Sequence, residues 1–177
     1  MIYLFLADGF EEIEALAPVD ILRRGGKDVK TVAVKGKKAV GTHGIAVECD
    51  ITIDEVKDDM EMLILPGGMP GTKNLAASEK LISLVKEAFE KGIYIGAICA
   101  APSVLGEIGI LKGKKATCFP GFEGYLNCAE ISDDFVVVDE NVITAKGAGV
   151  ALEFGFALLK QFDPDFSDKL RKDMQCI

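Results

Sequence analysis

Short, unbroken apolar runs separated by amphipathic stretches limit what this chain can fold into more than any other feature. Ile2 to Ala7 (IYLFLA), Met62 to Leu65 (MLIL) and Ile93 to Ile98 (IYIGAI) lack the alternation of a half-exposed strand. They read as strands covered on both faces, which is the pattern of a parallel sheet. The intervening segments turn helical. From Glu11 to about Arg24, Ile13, Leu16, Ala17, Asp20, Ile21 and Arg24 recur at three- and four-residue steps, and Gly25-Gly26 ends the run. Pro18 is expected to bend or interrupt that helix. A second helix is predicted over about Ser78 to Glu90 and a third over about Gly149 to Phe162, whose aliphatic and Phe-rich stripe reads as core. Val29 to Val34 reads as a strand, and Lys35 to Lys38 as a turn before further β character to about Ile53. Phe135 to Val138 and Val142 to Ala145 read as a hairpin. Strand and helix alternate almost throughout, so the fold class is α/β: a doubly wound, mostly parallel sheet with helices on both faces. No repeat or linker divides residues 1–177, although about Thr42 to Asp59 could pack as an added flap, with the charges around Asp54 to Glu61 forming a solvated face.

Composition supports a single domain. With 177 residues, 49% of them hydrophobic, the chain can bury a core without disulfides or a structural metal. A formal net charge of -8 argues against nucleic acid and anionic membrane as partners. The apolar opening is too short for a secretory leader core, and no run approaches a membrane span. The five cysteines, Cys49, Cys99, Cys118, Cys128 and Cys176, show no zinc spacing and form an odd set. A reducing, cytoplasmic location is the expectation.

Ligands of open α/β sheets collect beyond the carboxyl ends of the strands, which directs attention to the turns after Ala7, Leu65, Ile98 and Ala145. At the third of these, Ile93 to Ile98 runs directly into Cys99, and Ala100, Ala101 and Pro102 begin a helix. This is the layout of a nucleophile elbow, in which small neighbours (Gly96, Ala97, Ala101) keep a sharp turn free of clashes. A cysteine at a helix N-terminus is expected to have a lowered pKa; the alternative is a small buried core cysteine. The one histidine, His43, lies in Gly41-Thr42-His43-Gly44 and reads as a surface or interface residue, so a Cys-His-Asp triad is poorly supported.

Carboxylates are the remaining proton carriers. Glu11 and Glu14 share a helix face, and Glu14 adjoins the apolar phase of Ile13, Leu16 and Ala17, so it is the one expected to turn inward. Glu12 reads as an acidic helix start that complements the dipole. Pro66-Gly67-Gly68 lets backbone amides approach a ligand and could form an oxyanion hole, or be only a tight turn. There is no Walker A loop, and Gly147-Ala148-Gly149 lacks the third glycine of a dinucleotide fingerprint, so no cofactor is signalled.

With Asp8-Gly9-Phe10-Glu11-Glu12-Ile13-Glu14, Pro66-Gly67-Gly68 and Gly96-Ala97-Ile98-Cys99-Ala100-Ala101-Pro102 in view, the sequence resembles the DJ-one (DJ-1)/ThiJ/PfpI superfamily, and within it the DJ-1-like branch. Pro18 to Gly26 and Thr144 to Gly149 carry the same likeness, which extends over essentially the whole chain. PfpI-type proteases place histidine directly after the nucleophile, where this chain has Ala100. The resemblance implies a flavodoxin-like fold of the class I glutamine amidotransferase kind and a homodimer. It further implies that Cys99 is the reactive cysteine and Glu14 the buried carboxyl bonded to it, with amides near Gly68 and Ala100 forming the oxyanion or sulfinate pocket. Gly67, Gly147 and Ala148 complete the candidate binding residues. Phe119-Pro120 stands where animal members have a histidine before a proline. Activities implied are cofactor-free conversion of methylglyoxal to lactate, deglycation of early glycation adducts, or redox sensing and holdase-like protection by an oxidisable Cys99. A cysteine hydrolase would need His43 supplied by a partner subunit.

Overall fold

The computed structural model describes residues 1–176. In chain order the elements are β1 (Ile2–Leu6), α1 (Glu12–Arg24), β2 (Val29–Ala33), β3 (Lys38–Val40), β4 (Ala46–Glu48), β5 (Ile51–Thr52), β6 (Met62–Leu65), α2 (Gly71–Ala76) and α3 (Glu79–Glu90). They continue with β7 (Tyr94–Ile98), α4 (Pro102–Glu107), β8 (Lys115–Ala116), β9 (Glu130–Ile131), β10 (Val136–Asp139), β11 (Val142–Ala145), α5 (Ala151–Lys160) and α6 (Pro164–Asp173). Among the described residues a seven-stranded sheet has the order β10-β11-β7-β6-β1-β2-β5. All its pairings are parallel except the edge hairpin of β10 with β11. The doubly wound expectation and the hairpin are thus met. The segment from Thr42 divides: β3 and β4 form a separate two-stranded hairpin, while β5 joins the edge of the main sheet.

The apolar runs explain the layering. Successive residues of β1 face opposite sides of the sheet, so Ile2, Leu4 and Leu6 enter one core with α1, α5 and α6, while Tyr3 and Phe5 enter the other with α3 and α4. Each fully buried Leu or Phe contributes roughly 1.5–3 kcal/mol, and the one hydroxyl of β1, on Tyr3, is satisfied by Asp59 at 2.7 Å. No described helix is long and apolar enough to cross a membrane.

Three local expectations are refined. Pro18 does not interrupt α1, which is continuous from Glu12 to Arg24. Its ring removes one helical hydrogen bond, but α5 crosses tightly here: a Cβ on Gly155 would lie 2.6 Å from Ile21 Cδ1 and 3.2 Å from Pro18 Cα. Tertiary packing holds the helix through the missing bond. Gly96 was assigned to the elbow, yet a Cβ there would meet Leu158 Cδ2 at 2.8 Å, so its smallness serves the seating of α5 on the sheet. The third predicted helix starts later than its pattern suggested, because Ala148–Val150 is a 3-10 turn. Helices α2 and α6 were not anticipated.

The chain leaves β1 for β2 on one side and returns to β6 on the other, so the switch point lies between β1 and β6. Strands β1, β6, β7 and β11 are mutually parallel. The turns that follow them therefore emerge at the same end of the sheet, and the chemistry gathers there.

Candidate active site

Glu11 caps α1: its carboxylate accepts the Glu14 amide at 2.8 Å. The cap fixes the first turn, and Glu14, three residues on, is carried inward to 1% exposure. Cys99 sits at the end of β7 with φ of +65°. Its amide donates to the Ala145 carbonyl at 2.8 Å, and its carbonyl accepts the Phe119 amide at 2.8 Å. Backbone on both sides therefore holds a left-handed conformation that costs a non-glycine residue about 1–2 kcal/mol. The result is a nucleophile elbow with a half-buried thiol, facing the interior carboxyl of Glu14.

Gly67 joins the two. A Cβ on it would lie 2.6 Å from Cys99 Cβ and 2.7 Å from Glu14 Oε2, so only glycine leaves room for both. Its amide donates to Glu14 Oε2 at 2.9 Å. The Ala148 amide also faces Glu14, whereas the amides of Gly68 and Ala100 face the sulfur. The loop amides thus fall into two sets. Those of Gly67 and Ala148 are spent on the carboxyl, and those of Gly68 and Ala100 serve the nucleophile. Gly147 flanks the pair: a Cβ there would stand 3.8 Å from Glu14 Oε1 and 3.2 Å from Phe119 Cδ2. Gly68 adopts φ of +88°, and a Cβ on it would strike the Glu11 amide at 2.5 Å. Among these residues only glycine could close that turn.

The expected low thiol pKa is not found. Burial, reinforced by the charge and hydrogen bond of Glu14, pushes the Cys99 thiol up to about 12 against the opposing pull of the Gly68 and Ala100 amides. Burial likewise lifts Glu14 to about 7, despite its hydrogen bonds from Cys99 and two amides, with the Glu11 charge adding to the rise. Helix α4 has only six residues, too short a dipole to reverse these effects. The two groups titrate as a unit that keeps one proton between about pH 7 and about pH 12. With the thiol at about 12 and the carboxyl at about 7 that proton rests on the sulfur, and the two amides facing Sγ stabilise the thiolate when the proton passes to Glu14.

Glu12 departs from its expected role. It is 5% exposed rather than solvated, and the β3–β4 hairpin wraps it. It accepts the His43 amide at 2.8 Å and contacts the His43 ring Nδ1 at 2.8 Å. A Cβ on Gly41 would lie 2.2 Å from Glu12 Oε1, so the turn is shaped around the carboxylate. Burial pushes this carboxyl up, but the hydrogen bonds from His43 outweigh it and leave it below its ordinary value. Glu12 in turn raises the His43 imidazole. His43 is exposed, as expected, but it is not remote: its Nδ1 lies 3.9 Å from Glu11. Among the described residues, Glu11, Glu12 and His43 form the one group close enough to hold a metal, their ligand atoms lying within 4.8 Å of one another. Their internal hydrogen bonds already account for that proximity. The signal for this docking, Gly41-Thr42-His43-Gly44, was visible in the sequence, but its partner was not.

A model described as the DJ-1/PfpI family matches residues 1–161. The chain belongs to the DJ-1/PfpI family. It is 38% identical over 160 residues to protein DJ-1 homolog B of Arabidopsis thaliana, covering 89% of this chain and 36% of that one. The chain thus spans little more than a third of that plant relative's length. A protein of Thermococcus kodakarensis named a deglycase is 32% identical over 151 residues, covering 84% of this chain and 90% of its own. The solved structure of oxidized Toxoplasma gondii DJ-1 superposes with a TM-score of 0.94 at 29% identity, covering 98% of this chain and 97% of the other. Such neighbours bear out the flavodoxin-like α/β fold. In this DJ-1/PfpI protein the position after the elbow cysteine is Ala100, and the ring beside the carboxyl is Phe119.

Proposed function

We propose that this chain is a cysteine-dependent, cofactor-independent enzyme of glyoxalase or deglycase type, acting on small 2-oxoaldehydes such as methylglyoxal or on their early adducts. The observation that carries this reading is the meeting of Cys99 and buried Glu14 across Gly67, with the amides of Gly68 and Ala100 facing the sulfur. The deglycase name of the Thermococcus relative supports it.

Cys99 passes its proton to Glu14 as Sγ attacks the aldehyde carbon; a C–S bond forms, and the carbonyl π pair becomes an alkoxide that takes that proton from Glu14. Glu14, now a carboxylate, removes the hydrogen from that same carbon as the adjacent ketone becomes an enediolate, whose oxygen takes the proton of the neighbouring hydroxyl. Returning the proton to the former ketone carbon leaves a 2-hydroxy thioester. Water then cleaves the C–S bond, releasing the 2-hydroxy acid and restoring the thiol. The sum is addition of one water with internal redox, so no external oxidant or reductant enters. Amides of Gly68 and Ala100 stabilise the oxyanions.

The test is lactate formation from methylglyoxal. Cys99→Ser and Glu14→Ala are each expected to abolish it while leaving the circular dichroism spectrum unchanged; full activity in Cys99→Ser would refute the mechanism.

A second reading, redox sensing, is favoured by the half-exposed sulfur with two amides and a protonatable carboxyl around it, a set that would hold a sulfinate. That the Toxoplasma gondii DJ-1 structure is of an oxidized protein fits that reading. A mass gain of about 32 Da on Cys99 after mild peroxide, without lactate production, would favour it over catalysis. Either role is compatible with a homodimer, for which exposed Ile13 and Leu16 on α1 and Leu152 on α5 offer apolar surface. Sedimentation equilibrium checks this.

A further inference from the structure

We infer that Phe119 selects the substrate's non-reacting substituent, favouring 2-oxoaldehydes that carry an aromatic or long apolar group over methylglyoxal. The inference rests on the reading of Cys99 and Glu14 given above.

Three observations place the ring. The Phe119 amide is tied to the Cys99 carbonyl at 2.8 Å, so the residue is fixed to the nucleophile's own backbone. A Cβ on Gly147 would lie 3.2 Å from Phe119 Cδ2 and 3.8 Å from Glu14 Oε1, so ring edge and carboxyl flank one glycine. The ring nevertheless remains 47% exposed, a large apolar surface left at the entrance to a polar site. The chain then turns, with the Phe122 amide donating to the Phe119 carbonyl at 3.1 Å. Beyond the turn, Phe122 and Tyr125 line a cavity of about 340 Å³ with Met69 and Val104, its other wall carrying Lys73 and Glu107. Met69 directly follows Gly68, whose amide faces the sulfur. Apolar side chains thus stand on two separate loops that reach the nucleophile, Phe119 on the one after β8 and Met69 on the one after β6. A methyl or hydrogen substituent would cover little of this surface. A phenyl group would stack on the ring and remove its exposed part from water.

An aromatic ring also has no proton to lose at this place. Among the titratable groups facing Cys99, proton transfer then falls to Glu14, with Glu11 acting on Glu14 only through its charge.

The experiment compares phenylglyoxal with methylglyoxal in the wild type, Phe119→Ala and Phe119→Leu. The expected result is a kcat/KM ratio favouring phenylglyoxal by about ten-fold or more in the wild type, collapsing toward one in Phe119→Ala chiefly through KM. Phe119→Leu, which keeps apolar bulk, should retain an intermediate ratio and covers the case in which the alanine variant fails to fold. In parallel, the rate of Cys99 alkylation by 2-bromoacetophenone is set against that by iodoacetamide. A ratio unchanged by both substitutions overturns the inference. If neither aldehyde is turned over, yet the aromatic alkylation preference is lost in Phe119→Ala, the apolar subsite stands and the catalytic reading falls.

Discussion

Glu14 Oε2 and Cys99 Cβ would lie 2.7 Å and 2.6 Å from any Cβ placed on Gly67, so carboxyl and nucleophile meet across a gap that one missing methyl keeps open. The same glycine donates its amide to the carboxyl at 2.9 Å. Geometry and hydrogen bonding at one residue therefore set both members of the pair.

Gly67→Ala is accordingly expected to force the pair apart. The obstruction includes the Ile98 carbonyl at 2.9 Å, a backbone atom that cannot swing aside. Overpacking of this kind costs about 1–3 kcal/mol, measurable by urea denaturation. Catalysis should fall further, by about 100-fold or more, because a displacement of about 1 Å is enough to lose alignment.

Glu14→Gln separates ionisation from shape. The folded carboxyl titrates at about 7, above its ordinary 4.5, so between those values the folded chain holds a proton that the unfolded chain has lost. Stability should then fall as pH rises through that window, with a penalty on the order of 3 kcal/mol complete above it. The glutamine variant should show a flatter stability profile from acid to neutral pH. Its Cys99 should titrate below the wild-type value of about 12, since the neighbouring negative charge is gone. Thiol alkylation at pH 8 should therefore quicken while turnover is lost; a thiol pKa unchanged from wild type would show that Glu14 does not control the sulfur.

The contact between Glu12 and His43 makes a different pH prediction. Glu12 is held below its ordinary value, so its contribution is present above that value and disappears as acid protonates it. His43 is raised, so its charge contribution is present below the ordinary imidazole value and is lost as pH rises through the folded value. The hairpin should be most firmly docked between the two, and amide exchange at residues 41–45 should be slowest there. Glu12→Gln should accelerate that exchange and return the His43 titration toward 6.5, both readable by NMR.

Cys99→Gly should not destabilise the fold, although it deletes a half-buried side chain. The backbone at φ of +65° suits glycine, and relief of about 1 kcal/mol offsets the lost contacts. Cys99→Ser keeps the strain and should show no such relief. A glycine variant that melts well below the serine variant would mean the elbow is not strained.

Much of the architecture was legible in the chain itself. Unbroken apolar runs such as Ile2–Leu6 admit only a doubly covered strand, and the step from Ile98 into Cys99 followed by Pro102 admits only a sharp strand-to-helix turn. These are local signals, written in consecutive residues. Glu14 does turn inward, but not for the reason its sequence neighbours suggested: Ile13 and Leu16 stay exposed, and Glu14 shares the buried face with Pro18 and Ile21, one and two turns on. Of the two outcomes expected of Pro18, interruption does not occur, since α5 supports the helix from across the fold.

Tertiary structure alone decided which groups meet and what charge they carry. Nothing near Glu12 in sequence shows that a turn about thirty residues later would bury it, and that contact exists only because the β3–β4 hairpin folds back over α1. Nor could residue order reveal that the Gly67 and Ala148 amides go to the carboxyl while those of Gly68 and Ala100 go to the sulfur. The direction of the Cys99 shift follows from the same limit. An elbow at a helix start suggests a low pKa, but desolvation and the approach of Glu14 are sums over surrounding space, and only the folded chain fixes that space.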